Sequence, residues 1–139
     1  QDIPKAITLY RDAVSLGDGR GMAFLGECHE TGKGVNQSLT MAIELYREGV
    51  KAFDGDAMTK LGLLYFWGRG VTLSKWNAVA LFSRGAKVGS GIAFFELGRC
   101  FEHGIVVRKD KEKALEYYRK SAGYYYEEAE SSIARLMVE

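Results

Sequence analysis

A repeat of 36 residues runs through this chain and constrains its fold more than any other feature. Residues 62–80 align without a gap on residues 26–44 and on residues 98–116. The same residue types return in register, as Leu-Gly at 25–26, 61–62 and 97–98, Gly at 32, 68 and 104, Val at 35, 71 and 107, and Ala at 6, 42, 78 and 114. A constant period of this size is typical of a solenoid, in which one supersecondary unit stacks on the next.

Composition agrees with a folded chain and argues against two kinds of partner. An apolar fraction of 47% and a charged fraction of 27% are close to globular averages, and 139 residues hold roughly four units of this period. The net charge of +1 leaves no basic excess to neutralise phosphates, so we expect no nucleic-acid partner. No apolar run approaches the roughly 20 residues that span a bilayer, so we expect no direct membrane insertion.

Apolar residues follow helical spacing throughout the repeats. In the first segment they fall at Ala6, Leu9, Tyr10, Ala13 and Val14, which is the i, i+3, i+4, i+7, i+8 stripe of one helix face. Each full repeat contains two such segments, an A helix and a B helix, separated by a glycine-rich loop. The sequence therefore predicts an all-α solenoid with about eight helices.

Turn glycines and the period predict the repeat boundaries. We expect a half repeat made of a B helix at 1–19, full repeats at 20–55, 56–91 and 92–125, and a closing half repeat made of an A helix at 126–139. Because residues 2–6 occupy the register of residues 110–114, we also expect the array to continue upstream in the parent protein.

Four local features carry specific expectations. Gly26 and its equivalents at 62 and 98 lie inside helices, where glycine costs about 1 kcal/mol relative to Ala, so a neighbouring helix should approach closely there. Ser38 and Ser74 are expected to cap the B helices. Val106 replaces the second loop glycine, and because a β-branched residue is poorly suited to positive φ, the third loop should differ in shape. The turn at 123–126 should also differ from the earlier junctions at 17–19 and 89–91.

The repeating motif resembles the Sel-1-like repeat, a longer relative of the tetratricopeptide repeat. The first copy of the motif consists of Leu25-Gly26, His29, Gly32, Gly34-Val35, Ala42, Leu45-Tyr46 and Gly49-Val50. The second consists of Leu61-Gly62, Tyr65, Gly68, Gly70-Val71, Ala78, Leu81-Phe82 and Gly85-Ala86. The third consists of Leu97-Gly98, Phe101, Gly104, Val107, Asp110, Lys113-Ala114, Tyr117-Tyr118 and Ser121-Ala122. A tetratricopeptide array is the structural alternative, but its 34-residue spacing does not fit.

The resemblance implies a right-handed superhelix of antiparallel helix pairs whose A helices line the concave side. It also implies a non-catalytic adaptor that binds other proteins. Ser38 and Ser74 stand where that family usually has Asp, which Asp2 and Asp110 keep. The cysteine pairs that staple each repeat in some secreted bacterial members are missing from this chain.

Residues with catalytic or metal-binding chemistry are few and scattered. His29 holds a position filled elsewhere by Tyr65 and Phe101, so it is interpreted as a packed histidine, and His103 as a surface residue. Neither belongs to a set of His, Cys and carboxylate residues at ligand spacing. We therefore predict no catalytic residues, no metal site and no cofactor.

The A helices supply a candidate binding groove. If Leu25, Cys28 and His29 face inwards, positions 23, 27 and 30–31 of each repeat face the groove. These positions and their neighbours predict a hydrophobic anchor formed by Leu63, Phe66, Trp67 and Phe95, flanked by Glu27, Lys60 and Arg99. The alternative is that the four apolar residues pack on a loop or on neighbouring repeats. Trp76 should face the convex side.

We accordingly predict a protein-interaction scaffold that binds a protein or peptide in this groove. The alternative is a regulatory or targeting region of a larger enzyme whose catalytic domain lies outside the chain, and a third interpretation is a spacer with no groove ligand. Terminal repeats without polar caps should favour end-to-end self-association. Cys28 and Cys100 favour the cytoplasm as reduced core thiols, whereas the sequon at 36–38 favours the secretory lumen, and the compartment stays open.

Overall fold

The computed structural model describes residues 3–124 and 126–139, and these form eight α-helices with no strand among them. The helices are α1 (Ile3–Ser15), α2 (Gly19–Thr31), α3 (Leu39–Lys51), α4 (Gly55–Trp67), α5 (Lys75–Lys87), α6 (Gly91–His103), α7 (Lys111–Ala122) and α8 (Glu127–Met137). The prediction of an all-α helical repeat with eight helices is confirmed.

The helices stack in pairs along the chain. The most extensive contacts join α2 to α3, α4 to α5 and α6 to α7, which are the A and B helices of successive repeats. Successive A helices also touch each other, α2 with α4 and α4 with α6, whereas successive B helices make no comparable contact. The A helices therefore line the inner side of the array, and the B helices are spread along its outer side.

Four apolar clusters follow one another along the array and form its core. Each is shared by consecutive helices, as in a solenoid whose units bury one another's faces. Cys28 and Cys100 lie in different clusters as buried, free thiols.

Glycines inside the A helices allow the B helices to approach closely, as expected. A Cβ at Gly26 would lie 2.5 Å from the Tyr46 ring, and a Cβ at Gly62 would lie 2.7 Å from the Phe82 ring. The third copy repeats the arrangement with Tyr118 over Gly98. One large ring per repeat therefore packs directly on helix backbone, which fixes the spacing within each pair.

Side-chain caps begin six of the described helices, α2 to α7, whereas α8 has no side-chain cap at Tyr126. Ser38, Ser74 and Asp110 accept hydrogen bonds from backbone N–H groups in the first turns of α3, α5 and α7, which confirms the predicted serine caps. The A helices have caps that the sequence interpretation did not identify: Asp54 and Ser90 accept from the third residue beyond the cap, and Asp18 from the second.

The expectation for the third loop was wrong. Val106 adopts φ +66°, close to the +77° and +72° of Gly34 and Gly70 in the earlier loops, so the loop keeps their left-handed turn. A side chain at Gly70 would collide with Leu39 and Ile43 of the preceding B helix. One repeat later Lys75 and Val79 stand at the positions of Leu39 and Ile43, and Val106 packs against the apolar cluster that contains Val79. This packing offsets a left-handed conformation that costs about 1–2 kcal/mol.

The buried face of α1 differs from the predicted stripe. Leu9 was placed on the buried stripe of α1 but is 61% exposed, because Ala6 and Ile7 are the residues buried against α2. The expected cap at Asp2 and the expected turn through Tyr125 fall on residues outside the described part of the chain.

Candidate functional site

The inner side of the array exposes only a narrow strip of each A helix. The predicted groove position 23 and its equivalents are buried, since Ala23, Thr59 and Phe95 are 8%, 0% and 6% exposed. The expectation that Phe95 is accessible is therefore wrong: its ring packs on Tyr118 and Tyr126. A central A helix such as α4 touches two B helices and two other A helices, so a wider arc is buried than the sequence stripe suggested.

The accessible strip follows residues 20, 24, 27 and 31 of the first repeat and their equivalents 36 and 72 positions later, which share one helix face. Four predicted residues, Leu63, Trp67, Glu27 and Arg99, lie on it and are exposed or half-buried. Lys60 also belongs to the strip, and Phe66 lies half-buried beside it. The strip consists of Arg20, Phe24, Glu27 and Thr31 on α2, Asp56, Lys60, Leu63 and Trp67 on α4, and Ile92, Arg99 and His103 on α6, where the equivalent residue Glu96 is buried.

A polar pair behind the strip occurs in the first and third repeats. The Tyr46 hydroxyl donates to the Glu30 carboxylate at 2.7 Å, and the Tyr118 hydroxyl donates to Glu102 at 2.7 Å. An arginine from farther along the chain completes each pair: Arg69 reaches Glu30 at 2.7 Å, and Arg135 reaches Glu102 through two N–H groups. Both acids, the half-buried Glu30 and the buried Glu102, are therefore paired within the fold.

The third-repeat pair is strongly coupled electrostatically. Hydrogen bonds from Arg135 are the main reason that the pKa of Glu102 falls to about 2, against the opposing effect of burial. Burial and the hydrogen bond to that carboxylate raise the pKa of the Tyr118 hydroxyl. Glu102 is therefore a permanently charged structural anion rather than a group that exchanges protons near neutral pH.

The middle repeat replaces this polar pair with two aromatic rings. Phe66 and Phe82 occupy the positions of the acid and the tyrosine, with ring centroids 6.5 Å apart. The third-repeat arginine, Arg135, has its counterpart in Arg99, which here lies 3.3 Å from Glu96 instead. The second repeat is therefore the one in which this pair of positions is apolar.

We name Leu63, Phe66, Trp67 and Lys75 the α4 patch. The Trp67 indole is 58% exposed and meets the Phe66 ring edge-on at 4.9 Å between centroids. The Lys75 ammonium lies 3.7 Å from the Phe66 centroid and donates to the Phe66 carbonyl oxygen at 3.4 Å. The cation–π contact stabilises the Phe66 ring, while Trp67 is exposed and Leu63 is half-buried.

Charged side chains border the α4 patch within the same strip. Lys60 lies 3.7 Å from Glu27 of the preceding A helix, and both side chains are partly exposed. On the other side Arg99 pairs with Glu96, whose pKa is raised by burial and partly lowered again by that arginine. Two cations and two anions thus flank the apolar centre.

A shallow cavity of about 260 Å³ adjoins these charges on the inner side. Its lining includes Tyr10, Phe24, Glu27, Lys60 and Ile92, and the first two rings stack at 4.2 Å between centroids. The sequence interpretation missed the cavity because its walls come from four different helices. Trp67 lies seven positions after Lys60, so its indole is about 10 Å from the cavity along α4, with Leu63 between them.

Lys75 was also missed by the sequence interpretation, although a signal existed. Lys75 stands where the preceding repeat has Leu39. In the same repeat, Phe66 and Phe82 stand where the first and third repeats have a glutamate and a tyrosine. A linked change of this kind marks the repeat that differs, and hence the repeat to inspect for a binding surface.

The histidines and cysteines lie in separate places in the structure. His29 Nδ1 lies 3.2 Å from the Asn36 carbonyl oxygen, and His103 is exposed beside Glu102. Burial raises the pKa of the Cys100 thiol to about 12, so this sulfur stays protonated. Within residues 3–124 and 126–139, His, Cys, Asp and Glu form no group of three that could hold a metal ion.

Comparison with known proteins identifies the repeat. A family model described as the Sel1 repeat matches residues 1–18, 19–52, 55–90 and 93–123, which is nearly the whole chain. The chain belongs to the Sel1 repeat family. Sel1 repeat proteins are generally non-catalytic scaffolds for protein interactions. No curated protein matches the chain.

Solved Sel1 repeat structures superpose on the array. A Sel1 repeat protein from Oxalobacter formigenes is 30% identical, with a TM-score of 0.77 over 92% of this chain and 52% of that one. A protective antigen of uropathogenic Escherichia coli is 32% identical, with a TM-score of 0.76 over 97% of this chain and 29% of that one. The cysteine-rich protein B of Helicobacter pylori, 21% identical with a TM-score of 0.69, shares the fold.

The chain thus spans about half the length of the first of these proteins and less than a third of the second. Among the described helices of this Sel1 array, none is both long and apolar enough to cross a bilayer.

Proposed function

We propose that this Sel1 repeat array binds an extended peptide segment of a partner protein along its inner side, anchored at the α4 patch. The exposed Trp67 indole is the observation that carries the proposal. The equivalent positions in the neighbouring repeats hold Thr31 and His103, so the repeat itself does not require an aromatic ring there. Aromatic residues dominate binding energies at interfaces because they remove large areas from water.

The geometry suggests what such a peptide contains. A large apolar side chain would cover Leu63 and the free face of Trp67. The cations Lys60 and Arg99 border that contact. Each is paired with a carboxylate of the chain, Glu27 and Glu96, and a carboxylate of the ligand would replace that partner. An extended peptide advances about 3.3 Å per residue, so roughly three residues cover the distance from Trp67 to Lys60. We expect a motif with an apolar anchor and an acidic residue about three positions away.

Selection from a phage-displayed random peptide library tests this proposal without knowledge of the partner. The wild-type chain and the Trp67→Ala variant would be screened in parallel, and selected peptides would be measured by fluorescence anisotropy. Trp76→Ala is the matched control, because Trp76 is 73% exposed but lies on the B helix α5. Light scattering would check that end-to-end self-association does not contribute.

We expect selected peptides to share the apolar–acidic motif and to bind Trp67→Ala at least about tenfold more weakly, which corresponds to about 1.4 kcal/mol. Trp76→Ala should bind them like the wild type. Peptides that ignore Trp67, or that lose equal affinity in both variants, would refute an anchor on the inner side.

A further inference from the structure

The outer side of the array carries a positive charge that the inner side lacks. Helix α5 has three basic residues and no acidic one, and α7 has four basic residues against two acidic. The inner helix α6 has one basic residue against two acidic, and α8 has one against three. The net charge of +1 conceals this separation, which places cations along two adjacent B helices.

A furrow lies between these two basic helices. It exists because successive B helices do not pack on each other, so the gap between α5 and α7 is closed only by α6 beneath. Ala86 and Lys87 form one wall, Tyr117 and Lys120 form the other, and Phe94 belongs to the floor. We name this surface the α5–α7 furrow. The furrow is open to solvent and has a volume of about 360 Å³.

Aromatic rings form a continuous row beneath and beside the furrow. The centroid distances are 5.9 Å from Tyr124 to Phe94, 6.3 Å from Phe94 to Tyr117 and 5.5 Å from Tyr117 to Phe101, and each pair is stacked or nearly parallel. Tyr124 is largely exposed, and the other three rings are half-buried.

The row is not needed for packing of the repeat. Earlier repeats have Met22 and Met58 at the position of Phe94, and Leu45 and Leu81 at the position of Tyr117. Both methionines and Leu81 are buried, so aliphatic side chains fill these positions well. The aromatic row is therefore a feature of the third repeat alone, and Phe94 and Tyr117 remain half-buried at the furrow.

Lysine ammonium groups stand on both rims of the furrow. Lys120 Nζ lies 5.8 Å from the Phe94 centroid and 5.5 Å from the Tyr117 centroid, so the cation is held over the rings. Its ion-pair partner Glu116, 3.7 Å away, is largely exposed, and such surface pairs contribute little. Lys87 faces it from α5, a helix with no carboxylate of its own.

We propose that the α5–α7 furrow binds an acidic peptide segment of a second partner, with an aromatic side chain of that segment seated on the Phe94–Tyr117 rings. Carboxylates of the segment pair with Lys87 and Lys120 on the two rims. This surface is independent of the α4 patch and lies on the opposite side of the array. With one site on each side, the array would hold two polypeptides near each other at the same time.

A labelled octapeptide of six glutamates and two phenylalanines serves as the probe, and its affinity would be measured by fluorescence anisotropy. The variant Lys87→Glu with Lys120→Glu removes the rim cations. Its matched control, Arg108→Glu with Lys109→Glu, makes the same change of net charge in an exposed loop outside the furrow. We expect the rim variant to bind at least tenfold more weakly and the loop variant to change affinity less than threefold.

A second variant tests the rings without endangering the fold. Phe94→Met with Tyr117→Leu installs the residues that the other repeats carry at these positions. It should weaken the phenylalanine probe about tenfold and leave an all-glutamate octapeptide unchanged, with an unaltered circular dichroism spectrum.

Three results would overturn the proposal. They are no saturable binding by the wild type, equal losses in the rim and loop variants, and a heparin oligosaccharide that binds as tightly as the probe and is unaffected by the ring variant. The last result would identify a general polyanion surface instead of a peptide furrow.

Discussion

Replacing Gly98 by alanine should destabilise this protein, even though the same change stabilises most helices. Alanine is favoured over glycine inside a helix by about 1 kcal/mol. At Gly98, however, the new Cβ would lie 2.6 Å from two carbons of the Tyr118 ring. That ring is fully buried, and Glu102 holds its hydroxyl at 2.7 Å, so it cannot withdraw. Overpacking of this kind costs about 1–3 kcal/mol, which exceeds the gain in helix propensity, so we expect a net loss of up to about 2 kcal/mol.

Gly123→Ala is the internal control for this prediction. Gly123 is exposed and adopts φ −60° at the end of α7, a conformation that alanine shares. Its nearest neighbour, the Lys120 carbonyl oxygen, belongs to the same helix end. We expect a gain of about 0.4–1 kcal/mol from the stiffer unfolded chain.

Urea unfolding followed by circular dichroism would measure both variants. Opposite signs are the expected result. If both glycine substitutions stabilise the chain, the B-helix rings are free to move, and the argument for rigid ring-on-backbone contact fails.

Three further predictions concern stability. Leu61→Ala should cost about 2–5 kcal/mol in urea unfolding, because Leu61 is buried in the core cluster between α3, α4 and α5; a cost below 1 kcal/mol would contradict that packing. Gly70→Val should lower the melting temperature markedly, since Leu39 and Ile43 obstruct a side chain there; an unchanged melting temperature would contradict this obstruction. Glu102, whose pKa falls from 4.5 to about 2, should contribute stability that is full above pH 4.5 and lost as pH falls towards 2. Glu102→Gln should flatten the pH dependence of unfolding in that range, and an unchanged slope would contradict the assignment.

The helices were predictable because the apolar stripe and the loop glycine at the end of each A helix recur in three successive repeats. The bounds of α6 follow from Gly91 and His103, and Ser38 and Ser74 act as caps because a hydroxyl before a helical stripe satisfies free N–H groups. Val106 was not predictable from its own preference for negative φ. Its conformation coincides with the replacement of Leu39 and Ile43 by Lys75 and Val79 one repeat later, and these residues lie 31 and 27 positions away from it in sequence.

The candidate site was predictable only in part, for a similar reason. Local periodicity identified Trp67 and Leu63 as residues off the core stripe, but it could not separate them from Phe95. Phe95 is buried by Tyr126, a residue from the next helical unit, and such contacts between repeats are invisible to the spacing within one repeat. The α5–α7 furrow was missed because it lies between two B helices and has no counterpart within a single motif.

Fluorine NMR of the chain labelled with 5-fluorotryptophan tests the central claim most directly. The sequence has two tryptophans, so the spectrum contains one signal from the α4 patch and one from the outer side of α5, assigned by the two alanine variants. On addition of a peptide selected against the wild type, we predict that the Trp67 signal moves and that the Trp76 signal stays. Movement of the Trp76 signal alone would contradict a binding site on the inner side.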